Sequence, residues 1–196
     1  MIFVDAWPFI DGRAIVWVKD TVFADDYPCT KEKCGLINTS GEFLVPPIYD
    51  DMRYVGGTNI AVNIGFEEHD TYQESGKWGM IDMENHILIP LKYSDLHICK
   101  ESPLYLVEYG SLWGIINVFE EIVIPLKYES LSWPDKYGWI VAKREGKYGC
   151  ITMKEEIMMP FIYDDIMLYG AETLIPVKYG EQAFYIDRNS RQRVLL

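Results

Sequence analysis

The chain has 196 residues, enough to bury a full core, and 49% of them are hydrophobic, an ordinary fraction for a globular protein. Charges interrupt the apolar runs within about 8 residues, so no transmembrane helix and no membrane partner are expected. A net charge of −12 excludes a positive face for nucleic acid and suits either plain solubility or a basic protein partner reached through electrostatic steering.

In chain order, the N-terminal residues MIFVDAWPFIDGRAIVW carry Asp5 and Asp11 early and have no basic leader, so a cytoplasmic location is expected. Ile2–Ala6 reads as a strand, and Arg13–Asp20 as a second one with Ala14, Val16 and Val18 alternating against Ile15, Trp17 and Lys19. Lys33–Tyr49 then opens a pattern that returns at Lys77–Tyr93, Leu112–Tyr128 and Lys147–Tyr163, with a cut-off copy at Gln182–Leu196. Tyr93, Tyr128 and Tyr163 stand 35 residues apart, and Tyr49 precedes Tyr93 by 44. A period of this size fixes a repeat architecture.

Each copy divides into the same four strands. The first holds a Trp-Gly pair or its substitute: Trp78–Asp82, Trp113–Asn117, Tyr148–Thr152. A polar turn follows, then an apolar strand ending in tyrosine: Ile87–Tyr93, Ile122–Tyr128, Ile157–Tyr163. Two β-favouring runs around a short polar turn signal a hairpin. Pro46, Pro90, Pro125 and Pro160 share one register, which places an edge, a bulge or a bend there, because proline cannot donate to a ladder. Third strands are expected at Met52–Val55, Leu96–Cys99, Leu131–Trp133 and Ile166–Tyr169. Fourth strands are expected at Asn59–Ile64, Leu104–Tyr109, Gly138–Lys143 and Thr173–Lys178. Gly110 and Gly146 supply the positive φ of the tight turns that lead back to the next copy.

In this frame Ile2–Ala6 is a third strand and Arg13–Asp20 a fourth, and the chain ends inside the proline strand. The whole of residues 1–196 thus makes one domain of five complete four-strand units in a permuted frame. Two acidic insertions, Val22–Glu32 and Gly65–Ser75, interrupt the same hairpin connection in the first two units, read here as loops on one binding face.

The run Lys77-Trp78-Gly79-Met80-Ile81-Asp82, followed by Ile89-Pro90 and Tyr93, resembles the WG (KWG) repeat family of bacterial β-repeat proteins. Cys34, Tyr148 and Ala183 replace the tryptophan in other copies, and Phe184 replaces the glycine. The resemblance implies an all-β repeat architecture of scaffolding or partner-binding type and transfers no catalytic residue. Strand repeats either stack as an open β-superhelix or solenoid, or close as a propeller. The apolar ends Met1–Val4 and Val194–Leu196 favour a closed, propeller-like ring of five antiparallel units, which hides sheet edges.

The four cysteines form no C-x-x-C pair. Cys150 and Cys99 read as buried apolar residues, and only Cys29 and Cys34 are candidates for pairing or for binding something. No metal and no cofactor are expected, since a zinc site lacks further ligands at usable spacing. The three histidines, His69, His86 and His97, join no Ser/His/Asp order, no G-x-S-x-G and no glycine-rich phosphate loop. The copies diverge mainly in loops, with no polar cluster expected at a core position, so the chain is read as a non-enzyme.

The Trp78 and Trp113 register is read as packing at the hinge between repeats, where Gly79 and Gly114 let backbones approach. The tyrosines are read as filler. Trp133 and Tyr137, beside Pro134, are the better candidates for an exposed contact. The recurrent acids Asp50, Asp51, Asp95, Asp164 and Asp165 read either as turn caps or as a partner-binding rim, joined by Asp25 and Asp26 and by Glu67, Glu68, Asp70 and Glu74 of the second insertion. Together these point to a cytoplasmic immunity or inhibitor protein, a monomer or weak oligomer, that occludes a basic toxin or effector. Two other readings are a carbohydrate- or envelope-binding module using exposed aromatic residues, and a general scaffold.

Overall fold

The structure, a computed structural model, describes residues 3–24, 27–55, 58–68, 73–99, 102–168, 170 and 172–194; within 20–31 and 66–75 only the backbone is described. Asp25, Asp26 and Asp70 lie outside the described residues. Among the described residues all regular structure is β. The strands are β1 (Phe3–Ala6), β2 (Arg13–Ala24), β3 (Tyr27–Asn38), β4 (Phe43–Tyr49), β5 (Asp51–Tyr54), β6 (Ile60–Glu68), β7 (Gln73–Ile81), β8 (Ile87–Tyr93), β9 (Asp95–Ile98) and β10 (Leu104–Tyr109). They continue as β11 (Leu112–Asn117), β12 (Ile122–Tyr128), β13 (Ser130–Leu131), β14 (Ile140–Arg144), β15 (Lys147–Ile151), β16 (Ile157–Tyr163), β17 (Asp165–Ile166), β18 (Leu174–Tyr179), β19 (Gln182–Asp187) and β20 (Arg193–Val194). No helix among the described residues is long and apolar enough to cross a membrane.

The strands form five four-stranded sheets, each a simple meander in chain order: β1–β4, β5–β8, β9–β12, β13–β16 and β17–β20. Strand pairs such as β1–β2, β6–β7, β10–β11 and β14–β15 are antiparallel. Each sheet runs from a third-type strand to an edge strand that carries proline in the first four sheets. The chain separates into two compact units, Met1–Leu96 and His97–Leu196.

One local device recurs in the sheets and explains the Trp-Gly and proline signatures together. In the second sheet Trp78 faces Tyr93, but Met80 faces Ile89, so two residues of β7 span four of β8. The surplus, from Pro90 to Lys92, bulges out of the ladder. It crosses over Gly79, where a Cβ would lie 2.6 Å from the Ile89 carbonyl oxygen and 2.8 Å from the Leu91 nitrogen. The same geometry holds at Gly35, Gly114 and Gly149. Glycine is required because a backbone occupies the place of its side chain, and proline fits because a bulge needs no ladder donor. The glycine thus serves a bulge inside its own sheet rather than a hinge between repeats. In the last sheet Phe184 stands in the glycine position, β20 is two residues long, and its pairs with β19 run without a shift.

The turn after each glycine strand is closed by the last residue of the motif. The Asp82 carboxylate accepts from the Glu84 and His86 backbone N–H groups, and Asn85 sits at φ 66°. Asn38, Asn117 and Asp187 close their turns through equivalent bonds, and Thr152 does so with its hydroxyl. A short polar side chain that bonds backbone two residues on is what such a turn needs. In the hairpins that return to the glycine strand, Gly110 with Ser111 and Glu145 with Gly146 all have positive φ, matching the twist of flanking strands.

The core lies between consecutive sheets. In the first unit Ile15, Leu36, Val45, Met52, Ile60 and Ile81 pack together and are fully buried. In the second, one cluster gathers around Ile115, Ile124, Ile140 and Ile151, and another around Cys150, Met159, Ile175 and Ile186. Ala14, Ile15, Val16 and Val18 are all buried, so this part of β2 is covered on both faces. The tyrosines are more than filler. Tyr49 donates its hydroxyl to Asn85 Oδ1 at 2.8 Å, and Tyr128 donates to Glu155 Oε1 at 2.8 Å. Each acceptor is the positive-φ residue of the next sheet's turn, so the end of one repeat is tied to the middle of the next.

The two insertions are not loops. They lengthen an existing hairpin: β2 and β3 pair continuously from Arg13–Asn38 out to Ala24–Tyr27, and β6 and β7 out to Glu68–Gln73. The inserts read as loops because they are polar and acidic and break the period, yet Val22, Phe23 and Thr30 favour strand and the ladder continues through the described residues.

Candidate functional site

The predicted contact residues fall into three groups. The first comprises acids that follow the tyrosines. Asp50 takes a bond from Lys33 Nζ at 2.6 Å and another from the Gly65 N–H at 2.8 Å. Asp164 repeats this with Lys147 and the Gly180 N–H, and Glu129 caps the Gly146 N–H. Lys147 and then the Gly180 N–H hold the Asp164 carboxyl below its ordinary value. The lysine that opens the repeat motif thus clips the acid that closes it. Asp51 pairs with Arg53, and Asp95 and Asp165 accept from the next backbone N–H. These carboxylates are engaged in holding hairpins.

The second group is the hairpin acids. Glu67 lies opposite Glu74 in the extended part of β6 and β7, and Glu68 opposite Gln73. Like charges at directly opposite positions repel. Residues 1–96 hold 16 carboxylates against 7 Lys and Arg, net −9, whereas residues 97–196 hold 14 against 11, net −3. The negative charge is concentrated in the unit that carries the long hairpins.

The third group surrounds Trp133 and Tyr137, and here the structure adds residues that sequence reasoning missed. The segment from Ser132 to Trp139 joins β13 to β14. Ser132 Oγ donates to the Trp133 carbonyl and accepts from the Val141 N–H, fixing the segment's start. Asp135 Oδ1 accepts from the Tyr137 and Trp139 N–H groups, closing a turn with Gly138 at φ 78°. Its Oδ2 lies 2.8 Å from Arg188 Nη2, in an ion pair whose arginine side chain is only 6% exposed. The Arg188 guanidinium also lies over the rings of Tyr137 (4.4 Å) and Trp139 (4.7 Å), and its Nε donates to the Glu172 carbonyl.

Arg188 follows the turn-closing Asp187, where the sister copies have Thr39, Met83, Val118 and Met153; Met83 is buried and Thr39 exposed, and a buried charged pair here departs from the expectation that no polar cluster occupies a core position. The signal was present in the sequence: one charged residue at an otherwise apolar or small register position, with Asp135 opening a D-x-x-G turn elsewhere.

Beside this ion pair is a cavity of about 570 Å³, within the range of ligand pockets. Trp133, Pro134 and Leu168 give it apolar walls, Asp135 lies along it, and Lys136 and Glu172 stand at its mouth. Lys136 Nζ and Glu172 Oε1 are 2.9 Å apart, and their side chains are 61% and 75% exposed. Trp133 is half-buried and Tyr137 about half-exposed.

The other aromatic candidates are mostly packed. Trp78 is buried beneath the Arg53 guanidinium at 4.2 Å, and Trp113 stacks on His97. Trp7 is 40% exposed on top of Trp17 and Tyr54. Cys34 and Cys150 are free, fully buried thiols pushed up to about 12, by burial above all, which makes them unreactive. Cys29 and Cys34 lie five residues apart on one extended strand, about 17 Å, too far to bridge. Asp82, Glu84 and His86 bring ligand atoms within 4.8 Å of one another on an exposed turn, but both Asp82 oxygens are already engaged, one by backbone and one by the His86 ring.

Meander sheets of four strands, a glycine under a proline bulge and a tyrosine tied forward to the next unit define an all-β repeat protein. The chain belongs to the WG containing repeat family, whose model matches residues 35–63, 78–112 and 113–148. Comparison with curated proteins gives no match. A solved structure titled "AfRom2 CNH domain" is similar over 90% of this chain and 58% of that one, at 13% identity and a TM-score of 0.34. The present chain therefore spans little more than half the length of that one.

Proposed function

We propose that this chain is a non-enzymatic, cytoplasmic protein-binding module that neutralises a basic toxin or effector by covering its working surface. The observation that carries this reading is the charge concentration in Met1–Leu96, net −9, in the unit whose hairpins are lengthened where Glu67, Glu68 and Glu74 reside. Acidic side chains on an extended ribbon steer a cationic protein and set its orientation. Asp25, Asp26 and Asp70 add negative charge to the same two hairpin segments. The absence of an activated nucleophile or general base among the described residues supports binding over catalysis.

Capture with the tagged chain from its native host tests this directly. A basic protein is expected in the eluate, released by salt, whose toxicity is suppressed when both are expressed together. Reversing Glu67, Glu68 and Glu74 to lysine is expected to slow association by about tenfold or more, with little change in dissociation. Recovery of no basic protein overturns the reading. Size exclusion of the isolated chain checks that it works as a monomer or weak oligomer.

We also propose closure of the five sheets into a propeller-like ring. In its favour is the burial of Ala14, Val16 and Ile37, packed with Phe3 and Phe43 of their own sheet, on the face turned away from the Ile15 and Leu36 core. A solution radius of gyration near 16 Å, the value for a compact chain of this length, is expected from scattering; a clearly larger one favours the open superhelix.

A further inference from the structure

The Trp133 pocket belongs to the second unit and plays no part in the charge-based reading above. Its position coincides with the place where the repeat departs from its own pattern. Where sister copies have Met83 or Met153, the last copy has Arg188, and Asp135 answers it. The ion pair and the turn it closes hold the segment from Trp133 to Trp139 against β18 and its leading loop. The result is a rigid rim on one side of a cavity of about 570 Å³. A cavity that size holds one long side chain with its backbone flanks.

The chemistry of the mouth selects the side chain. Lys136 and Glu172 pair across it, and because both are largely exposed their attraction is weak and exchangeable. An incoming cation displaces Lys136 and takes Glu172; an incoming anion does the reverse. Two observations favour the cation. Tryptophan is the strongest cation–π surface, and Trp133 forms the wall. The neighbouring rings already carry cations this way, Arg188 over Tyr137 and Trp139, and Lys136 over Tyr137 at 5.1 Å. A planar guanidinium both stacks and pairs with a carboxylate, which an ammonium does less well.

We infer that the pocket receives an arginine side chain of the partner protein, its guanidinium stacked on Trp133 and exchanged for Lys136 at the Glu172 carboxylate. The choice of a cationic partner rests on the reading given under the proposed function; the geometry of the pocket does not.

The test is a titration of the full chain with acetyl-Gly-Arg-Gly-amide, followed by NMR of the indole N–H signals, with the Trp133 signal assigned from Trp133→Phe. The arginine peptide is expected to shift that signal saturably. The citrulline peptide, the same shape without charge, is expected to bind at least about tenfold more weakly. Glu172→Gln is expected to weaken the arginine peptide about fivefold, and Lys136→Ala to strengthen it by a factor of about two to five, because the internal competitor is gone. Equal binding of the citrulline peptide, weakening by Lys136→Ala, or tighter binding of an aspartate peptide overturns the inference. Both exposed substitutions leave the fold intact, checked by circular dichroism. If the peptide binds as expected but the host yields no basic protein, the pocket stands and the toxin reading falls. If a basic partner is captured whose affinity is unchanged by Glu172→Gln and Trp133→Phe, the reverse holds.

Discussion

The two units of this protein share one repeat and have elaborated it in different places. Met1–Leu96 lengthens the hairpin between the fourth strand and the glycine strand, to 12 residues a side in the first sheet and 9 in the second. His97–Leu196 keeps that hairpin at 5 or 6 residues a side. It instead modifies the connection between the third and fourth strands, where Asp135 and Arg188 build a rim and a cavity opens. In four of the five sheets the hairpin of glycine strand and proline strand keeps its bulge; in the last, Phe184 stands at the glycine position and the β19–β20 pairs run without a shift. What those four copies hold constant is the crossing of one backbone over another; what varies among them lies on either side of that crossing.

The largest expected effect is in the second unit. Asp135→Ala leaves Arg188 buried with its ion-pair partner removed, and about 3–5 kcal/mol of stability should be lost in chemical denaturation. In the first unit the Lys33–Asp50 pair is the counterpart; its lysine is 19% exposed and can reach water, so Asp50→Ala should cost less. Next is the feature the units share. Gly79→Ala places a methyl 2.6 Å from the Ile89 carbonyl oxygen, and about 3 kcal/mol is expected to be lost. Gly149→Ala meets Met159 O at 2.9 Å and the adjustable ring of Phe161, so its cost should be smaller. Equal costs would mean that the bulge is softer than its geometry implies.

A finer contrast lies in the two tyrosines. Tyr49 bonds a neutral amide, and Tyr128 a carboxylate that also pairs with Lys127. Tyr49→Phe is expected to cost about 1 kcal/mol and Tyr128→Phe about 2 kcal/mol at neutral pH. Burial acts to raise the Glu155 carboxyl, but hydrogen bonds from Lys127 and Tyr128 and the Lys127 charge outweigh it, leaving the group below its ordinary value. A carboxyl depressed by folding contributes stability that is complete above its unfolded value of 4.5 and is lost as pH falls through the lower folded value. The difference between wild type and Tyr128→Phe should therefore narrow on acidification below about pH 4.5, while that for Tyr49→Phe stays flat. Thermal melts across pH 3 to 7 make the comparison.

The smallest effect on stability is expected from trimming. Replacing residues 66–75 by an Asn-Gly turn gives the second sheet the short hairpin of the third, and should change stability by about 1 kcal/mol or less. Loss of a captured basic partner in the trimmed protein, with its melt unchanged, would separate the first unit's function from its fold; retained capture would move the contact elsewhere.

Much of the architecture was legible because its constraints are local. Ile87–Tyr93, Ile122–Tyr128, Ile157–Tyr163 and Leu104–Tyr109 are strands with the limits their residues suggest, since alternation, proline and a closing polar turn all act within a few positions. The link between glycine and proline was not legible as one device. It depends on a register shift, and spacing along the chain says nothing about which residues face each other. The tyrosine hydroxyls escaped notice for a similar reason: their acceptors lie 27 and 36 residues away, at turn positions whose side chains vary between Asn and Glu. At the candidate site Trp133 and Tyr137 were legible as an aromatic pair beside a proline. Arg188 was hidden in the most degenerate copy, where a charge in an apolar register is easily read as decay.

The forward tie from each tyrosine gives the molecule a direction. Tyr49 finds its acceptor at Asn85, and Tyr128 at Glu155, in each case in a stretch that leaves the ribosome later. A nascent repeat therefore emerges with one bond still open, and the next repeat completes it. Removing the Asn85 or the Glu155 turn from the C-terminal side strands the Tyr49 or the Tyr128 hydroxyl, whereas removing the tyrosine from the N-terminal side leaves only an acceptor on a turn. Growth and loss of repeats should thus be easier at the front of this protein than at its back.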